Sequence, residues 1–207
     1  MTMENYLETC REVFWQNIFR FEVDYLVSQI QGRRDVLSVG CGPAIIEGGL
    51  SEHGFHVTGL DVSQEALQCA PDSVRTFVGR AEDMPFPESS FDAVIFVASL
   101  QFIDDYRKAI QKSAAVLRPG GTIIVMLLNP QSDFYKERVK NPSSYMSLIR
   151  HTDLEQIERV IAECYAIRTE YILGVTGEKI FASKDPRKTA LYTITGTKIA
   201  ESEKGFE

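Results

Sequence analysis

The 207-residue chain has no surplus of positive charge: 22 Lys and Arg stand against 29 Asp and Glu, a formal net charge of −7. Gripping a phosphate backbone needs a basic stripe, so nucleic acid is set aside as a partner. Cysteine is sparse too. Cys10, Cys41, Cys69 and Cys164 lie far apart, with no C-x-x-C pair and no histidine cluster beside them. That spacing argues against a zinc site or a disulfide framework, and for reduced thiols in a cytoplasmic protein. No apolar run approaches the ~20 residues of a membrane span, and the opening MTMENYLETCREV carries acids where an export signal needs a basic stretch and an apolar run. No membrane association or export is therefore expected. Repeats and low-complexity tracts are missing as well, and 44% hydrophobic residues are enough for one core in one domain.

What is present falls into two patterns. From Glu4 to about Ile30, Leu7, Cys10, Phe14, Ile18, Phe21 and Tyr25 recur at spacings of three or four, which predicts a lead-in of one or two amphipathic helices. After Gly32 come short apolar runs: VLSV at 36–39, HVTGL at 56–60, TFV at 76–78, AVIFV at 93–97 and TIIVMLL at 122–128. Helix-length polar stretches separate them, the pattern of parallel strands joined by crossover helices. Pro119-Gly120-Gly121 is expected to stop a helix over 109–117 and turn the chain into the fifth strand. Residues 129–150 read as an irregular or partly helical connection. Thr152-Asp-Leu-Glu155 then forms a capping box, with Thr152 as N-cap of a helix reaching about Cys164. Two β-rich pieces, 166–173 and 189–198, suit an antiparallel hairpin at one edge of the sheet.

The chemistry concentrates at strand ends. Val36-Leu-Ser-Val-Gly40-Cys-Gly42-Pro-Ala44 puts a glycine turn directly after the first strand and before a helix, where bare backbone and a helix N-terminus meet a ligand. By itself the G-x-G is equally a tight structural turn. Asp61 ends the second strand 21 positions after Gly40, close to the ~20 expected of an acid that binds ribose hydroxyls. A nicotinamide cofactor is disfavoured, because position 45 is Ile rather than a third glycine and no Tyr-x-x-x-Lys pair is present.

VLSVGCGPA, GLDVSQEAL at 59–67, GRAEDMPFPESSFDAVIF at 79–96 and VLRPGGTIIV at 116–125 resemble, in order, the motifs of class I S-adenosylmethionine-dependent methyltransferases. The small-molecule branch containing the ubiquinone and menaquinone biosynthesis enzymes is the most similar. The resemblance implies an α/β, Rossmann-like, doubly wound seven-stranded sheet, mostly parallel with an antiparallel C-terminal hairpin, helices on both faces and a helical N-terminal lead-in. It divides the chain into a helical cap (1–31), a cofactor-binding core (35–128), an acceptor-side lid (129–150) and a C-terminal helix and hairpin (151–207). It implies S-adenosyl-L-methionine as cofactor and a small-molecule acceptor as partner. Gly40 and Gly42 would admit the methionine part and Asp61 would hold the ribose, with Cys41 and Val62 beside them in the same site. Ala81 would meet the adenine through its backbone, Glu82 or Asp83 would accept from its amine, and Met84 and Phe86 would add apolar wall. Val97 to Leu100 would line the sulfonium and the acceptor.

Three residues depart from the family pattern: Ser38 stands where an acid is usual, Ala44 replaces a glycine, and Arg80 replaces an Asp or Asn. No catalytic residue is assigned. His151, Tyr135 and Tyr145 are the candidates for a base or an acceptor contact, each with a structural alternative, and Glu47 reads as a favourable charge near a helix N-terminus. Asp104-Asp105 lacks the companions of a metal site, so no metal is expected. The acceptor pocket is expected beneath the N-terminal helices and 129–150, with Phe14, Trp15, Phe19, Tyr135, Tyr145 and His151 supplying its chemistry. A relative that binds the cofactor without catalysing remains the alternative.

Overall fold

The computed structural model describes residues 3–142 and 144–199; the parts of the expected segments at 1–2, 143 and 200–207 lie outside them. Helices α1 (Met3–Cys10) and α2 (Val13–Gln29) lead in. Strand β1 (Asp35–Val39), helix α3 (Ile45–Glu52), strand β2 (His56–Asp61), the short helix α4 (Gln64–Leu67) and strand β3 (Arg75–Val78) follow. Strand β4 (Phe91–Val97), helix α5 (Tyr106–Val116), strand β5 (Leu117–Leu128), helix α6 (Asp133–Arg138) and helix α7 (Leu154–Ala162) come next, and strands β6 (Tyr165–Thr176), β7 (Lys179–Phe181) and β8 (Thr189–Lys198) close the described chain.

The strands form one sheet in the order β3-β2-β1-β4-β5-β8-β6-β7, parallel from β3 to β5 and antiparallel beyond. Eight strands replace the seven expected. The extra one, β7, has three residues, too few to show alternation, and it pairs with the end of β6 across a turn at Gly177 (φ +58°). Gly174 of β6 makes room for it: a Cβ there would sit 2.5 Å from the Phe181 ring.

Period-two alternation sends side chains to two cores. Leu37, Val39, Val94, Phe96, Ile123 and Val125 meet Ala109 and Ile110 of α5 and Val160 and Ile161 of α7 on one face. Val36, Ala93, Ile95, Ile124 and Met126 meet Phe14, Ile18, Val23 and Leu26 of α2 and Ile46 and Leu50 of α3 on the other. The chain runs outward from β1 to β3 and returns to β4 on the opposite side of β1, so a crevice opens where the carboxyl ends of β1 and β4 diverge.

Two local expectations are corrected. Asp153, not Thr152, caps α7: its Oδ1 accepts from the Gln156 amide at 2.9 Å. Both residues can cap, and the carboxylate is the stronger acceptor at a helix N-terminus. Helix α5 ends at Val116, before Pro119-Gly120-Gly121, which instead form a bulge inside β5, where the register jumps from Phe91↔Leu117 to Ala93↔Thr122.

Gln101, fully buried after β4, ties the far ends of the cleft together. Its Nε2 donates to the carbonyls of Leu128 and His151 (both 3.1 Å), its Oε1 accepts from the Leu128 amide (2.7 Å), and its backbone carbonyl accepts from the Arg150 and His151 amides. Leucine would fill the space but strand these buried groups, at about 3 kcal/mol. Gln101→Leu is therefore expected to lower the urea midpoint at unchanged m-value; an unchanged midpoint would show that residues 149–151 are held by other contacts.

Candidate functional site

The glycine turn is shaped by what it touches. Gly40 (φ +74°) donates to the Leu60 carbonyl at 2.7 Å, and a Cβ there would lie 2.5 Å from Ser99 Cβ. Ser99 Oγ in turn donates to the Val39 carbonyl at 2.6 Å, so the end of β4 presses on the turn. Gly42 (φ +53°) differs: nothing lies within 4 Å of its missing Cβ, so its backbone faces open space. Gly59 lacks a Cβ where Cys41 Sγ would be only 2.6 Å away, which lets the cysteine fold beneath the turn. Ala44 holds a left-handed conformation (φ 56°) at the entry to α3, the conformation a glycine adopts at no steric cost and alanine at roughly 1 kcal/mol.

Asp61 joins this turn to the end of β2. Its Oδ2 accepts from the Gly42 amide and its Oδ1 from the Ser63 amide, both at 2.8 Å. Each oxygen keeps a second lone pair for a ligand. Val62 beside it is 66% exposed, an apolar surface left open at the crevice. A cavity of about 380 Å³ follows, bordered by Gly40, Asp61, Val62, Ala81, Glu82 and Ala98 among others. Glu82 is buried there and paired with Arg80 at 2.7 Å, so the unusual arginine neutralises the acid next to it. Asp83 points elsewhere, to Lys108 at 2.8 Å. Met84 and Phe86 pack in the core beneath.

Gly40 and Ala98 also border a second, inner cavity of about 180 Å³. Ala98 at this junction has φ 47°, a strained value for a residue with a Cβ. The inner cavity is floored by Gly40 to Pro43, Ile45 to Glu47 and Val97, and roofed by Tyr6, Trp15, Phe19, Glu22, Phe134 and Tyr145. Five of those roof residues, Tyr6, Trp15, Phe19, Phe134 and Tyr145, line an outer cavity of about 700 Å³ as well. Arg138 braces the roof, its guanidinium 4.6 to 5.4 Å from the ring centres of Phe14, Trp15 and Phe134.

The sequence-based site residues therefore separate. Gly40, Cys41, Gly42, Asp61, Val62, Ala81, Glu82 and Val97 all line one or other of the two adjoining cavities. Of the three side chains considered for chemistry, Tyr145 faces the inner cavity, whereas Tyr135 is buried in the core beside it. His151 lines neither: its Nε2 donates to the Ile103 carbonyl at 2.9 Å and its ring sits edge-on to Tyr106. Asp104 pairs with Arg150 and approaches Arg80, and Asp105 caps α5. Ser99, within the 97–100 stretch expected at the site, does line the cavity beside Asp61, whereas Phe134 and Glu22 escaped the sequence reading. For Glu22 a signal exists, since it falls in the apolar stripe Phe14, Ile18, Leu26 at four-residue spacing.

Residues 37–125 match the family model described as "Methyltransferase domain". A ubiquinone biosynthesis O-methyltransferase of Alkalilimnicola ehrlichii is 31% identical over 128 residues, covering 58% of this chain and 47% of that protein. A demethylmenaquinone methyltransferase of Tropheryma whipplei is 33% identical over 96 residues, covering 44% of this chain and 40% of its own. The chain thus spans about half the length of the curated relatives it matches. Among solved structures, a SAM-dependent methyltransferase from Archaeoglobus fulgidus superposes with a TM-score of 0.77 at 14% identity, covering 96% of this chain and 100% of that one. Likeness at that identity establishes a shared fold.

Two buried acids set the electrostatics of the inner cavity. Burial pushes Glu22 up to about 8, with Glu47 adding repulsion. Burial likewise raises Glu47 to about 7, opposed by the hydrogen bond from Ser38 Oγ at 2.5 Å and helped by the charge of Asp61. Burial also lifts Tyr145 above the ordinary phenol range, so it keeps its proton at neutral pH. An acid whose folded pKa is raised stabilises the fold at low pH, relative to its ionised form, and that contribution is lost progressively as pH rises from the ordinary carboxyl value of 4.5 to about 8. Glu22→Gln, which cannot ionise, is expected to melt increasingly above the parent as pH rises from about 5 to about 9. Thermal melts across that range check this, and parallel curves would contradict it.

Proposed function

With residues 37–125 a class I methyltransferase domain, we propose that the protein transfers a methyl group from S-adenosylmethionine to a small-molecule acceptor. The observation that carries the reading is Asp61: at the β1–β4 crevice it fixes the glycine turn by two amide hydrogen bonds and still offers a lone pair on each oxygen. A ribose diol has the matching pair of donors. Open space over Gly42 and the exposed face of Val62 fit the same group.

Bound S-adenosylmethionine supplies its own activation, a methyl on a positively charged sulfur, so the protein's part is alignment and exclusion of water. Asp61 and the Ala81–Glu82 turn would hold the nucleoside, with Arg80 balancing Glu82. Gly40 and Ala98 border both cavities, so the transferable methyl of a bound cofactor would lie near them. Trp15, Phe19, Phe134 and Tyr145 wall the inner cavity with aromatic surface, which favours a cation and excludes water. Residues 1–31 and 129–150 act as acceptor-side cover, since the roof residues come from them. The outer cavity combines the five aromatic roof residues with Asp133, Glu137, Arg138, Glu178 and Lys188, a site for a small molecule with an apolar body and polar ends. The net charge of −7 disfavours nucleic acid as acceptor, and a cytoplasmic location fits four unbridged thiols. No described helix is long and apolar enough to cross a membrane.

Asp61→Ala is expected to weaken S-adenosylhomocysteine binding at least ten-fold by calorimetry, because the ribose contacts and the tie to Gly42 are lost together. Wild-type affinity in a folded variant would remove Asp61 from the site. A release assay with a panel of phenols, amines and thiols then separates an enzyme from a relative that only binds the cofactor.

A further inference from the structure

The first strand of this chain carries no acid at its carboxyl end, yet the inner cavity bordered by the glycine turn holds two. Glu47, on the first turn of α3, is 2% exposed and takes a hydrogen bond from Ser38, the residue at the expected acid's place. Glu22, from α2 across the cavity, is 5% exposed and makes no hydrogen bond or ion pair among the described residues. A carboxylate this far from bulk water is costly to ionise without a partner, and no described lysine or arginine lines this cavity. Such an arrangement persists where a proton or a ligand's cation completes it.

We infer that Glu22 and Glu47 form a proton-holding acid pair that receives the ammonium group at the amino-acid end of the cofactor and gives up a proton to solvent as that cation enters. The inference rests on the cofactor assignment above and deepens it: the acid absent from the strand is supplied by two helices, and cofactor binding becomes proton-coupled. Charge balance is simple. The ammonium brings one positive charge and one carboxyl loses its proton, so the ammonium and the acid pair together keep their net charge, and the ligand's own carboxylate is left outside that exchange. No bond other than the O–H is broken.

Other ionisable groups near the pair do not compete in the neutral range. Tyr6 of α1 and Tyr145 of the 144–149 segment face Glu22, and both are held protonated by burial. The thiols of Cys10 and Cys41 are pushed up by burial as well. Arg138 of α6 acts on Tyr145 as a fixed positive charge, and Asp61 of β2 adds its negative charge to Glu47. The raised positions of Glu22 and Glu47, about 8 and about 7, put their titration where binding is measured.

The test compares two ligands on the full chain: S-adenosylhomocysteine, and 5′-methylthioadenosine, which keeps the thio-nucleoside and lacks the amino-acid end. Calorimetry at about pH 7 in buffers of different ionisation enthalpy counts the protons released. S-adenosylhomocysteine is expected to release roughly half a proton to one proton and methylthioadenosine none. Its affinity is expected to rise about ten-fold from about pH 6 to about pH 8, while that of methylthioadenosine stays within about two-fold. Glu47→Gln keeps the Ser38 contact and should erase the rise for the first ligand, leaving the second unchanged; Glu22→Gln should reduce it. A pH-independent affinity for S-adenosylhomocysteine, or an equal rise for both ligands, overturns the acid pair. If neither ligand binds, the cofactor assignment itself fails, and the acid pair with it.

Discussion

Everything at this site hangs on the carboxylate of Asp61 receiving two backbone amides. One amide belongs to Gly42 in the turn after β1, the other to Ser63 just beyond β2, so a single side chain sets the distance between two strand ends. The turn is confined from three sides: Leu60 accepts from Gly40, Cys41 tucks over Gly59, and Ser99 stands where any side chain at position 40 would have to go. Positive φ at Gly40, Gly42 and Ala44 follows from that confinement, and the glycines relieve it where the crowding is worst. Such a turn is rigid before a ligand arrives, the condition for using backbone rather than long side chains in recognition.

Rigidity at the strand ends contrasts with the roof. Trp15, Phe19, Phe134 and Tyr145 reach the cleft from a helical lead-in and a loop-rich connection, held by packing on one face of the sheet, by ring contacts and by Arg138. Buried acids beneath that roof are a cost to the fold, and the hydrogen bond from Ser38 offsets it for Glu47 alone. Polar anchors hold the frame: buried Asn129 donates to the Pro186 and Thr189 carbonyls, fixing the start of the connection against β8.

Much of this was legible in the sequence, for physical reasons. Parallel strands buried on both faces must be continuous apolar runs, so VLSV, HVTGL, TFV, AVIFV and TIIVMLL lie inside β1 to β5. The glycine turn and Asp61 could be read because their spacing follows from one strand, one turn and one helix. Strand β7 could not, since three residues show no period and its partner contact depends on Gly174. The capping-box pattern points to Thr152 as the α7 cap and misses the adjacent Asp153, which is equally able to cap and does so. His151 looked available because a lone histidine gives no hint of the Ile103 carbonyl that holds it. Glu22 was hidden by the rule that counts acids as solvent-facing; only its place in the stripe of Phe14 and Ile18 betrays burial.

The most direct test of the account is a crystal structure of the protein with S-adenosylhomocysteine. The account predicts the ribose hydroxyls on Asp61, the adenine between Val62 and the Ala81–Glu82 turn, and the sulfur beside Gly40 and Ala98, where the two cavities adjoin. Density for the ligand in the outer cavity between Thr9 and Lys188, with Asp61 bonded only to Gly42 and Ser63, would contradict it.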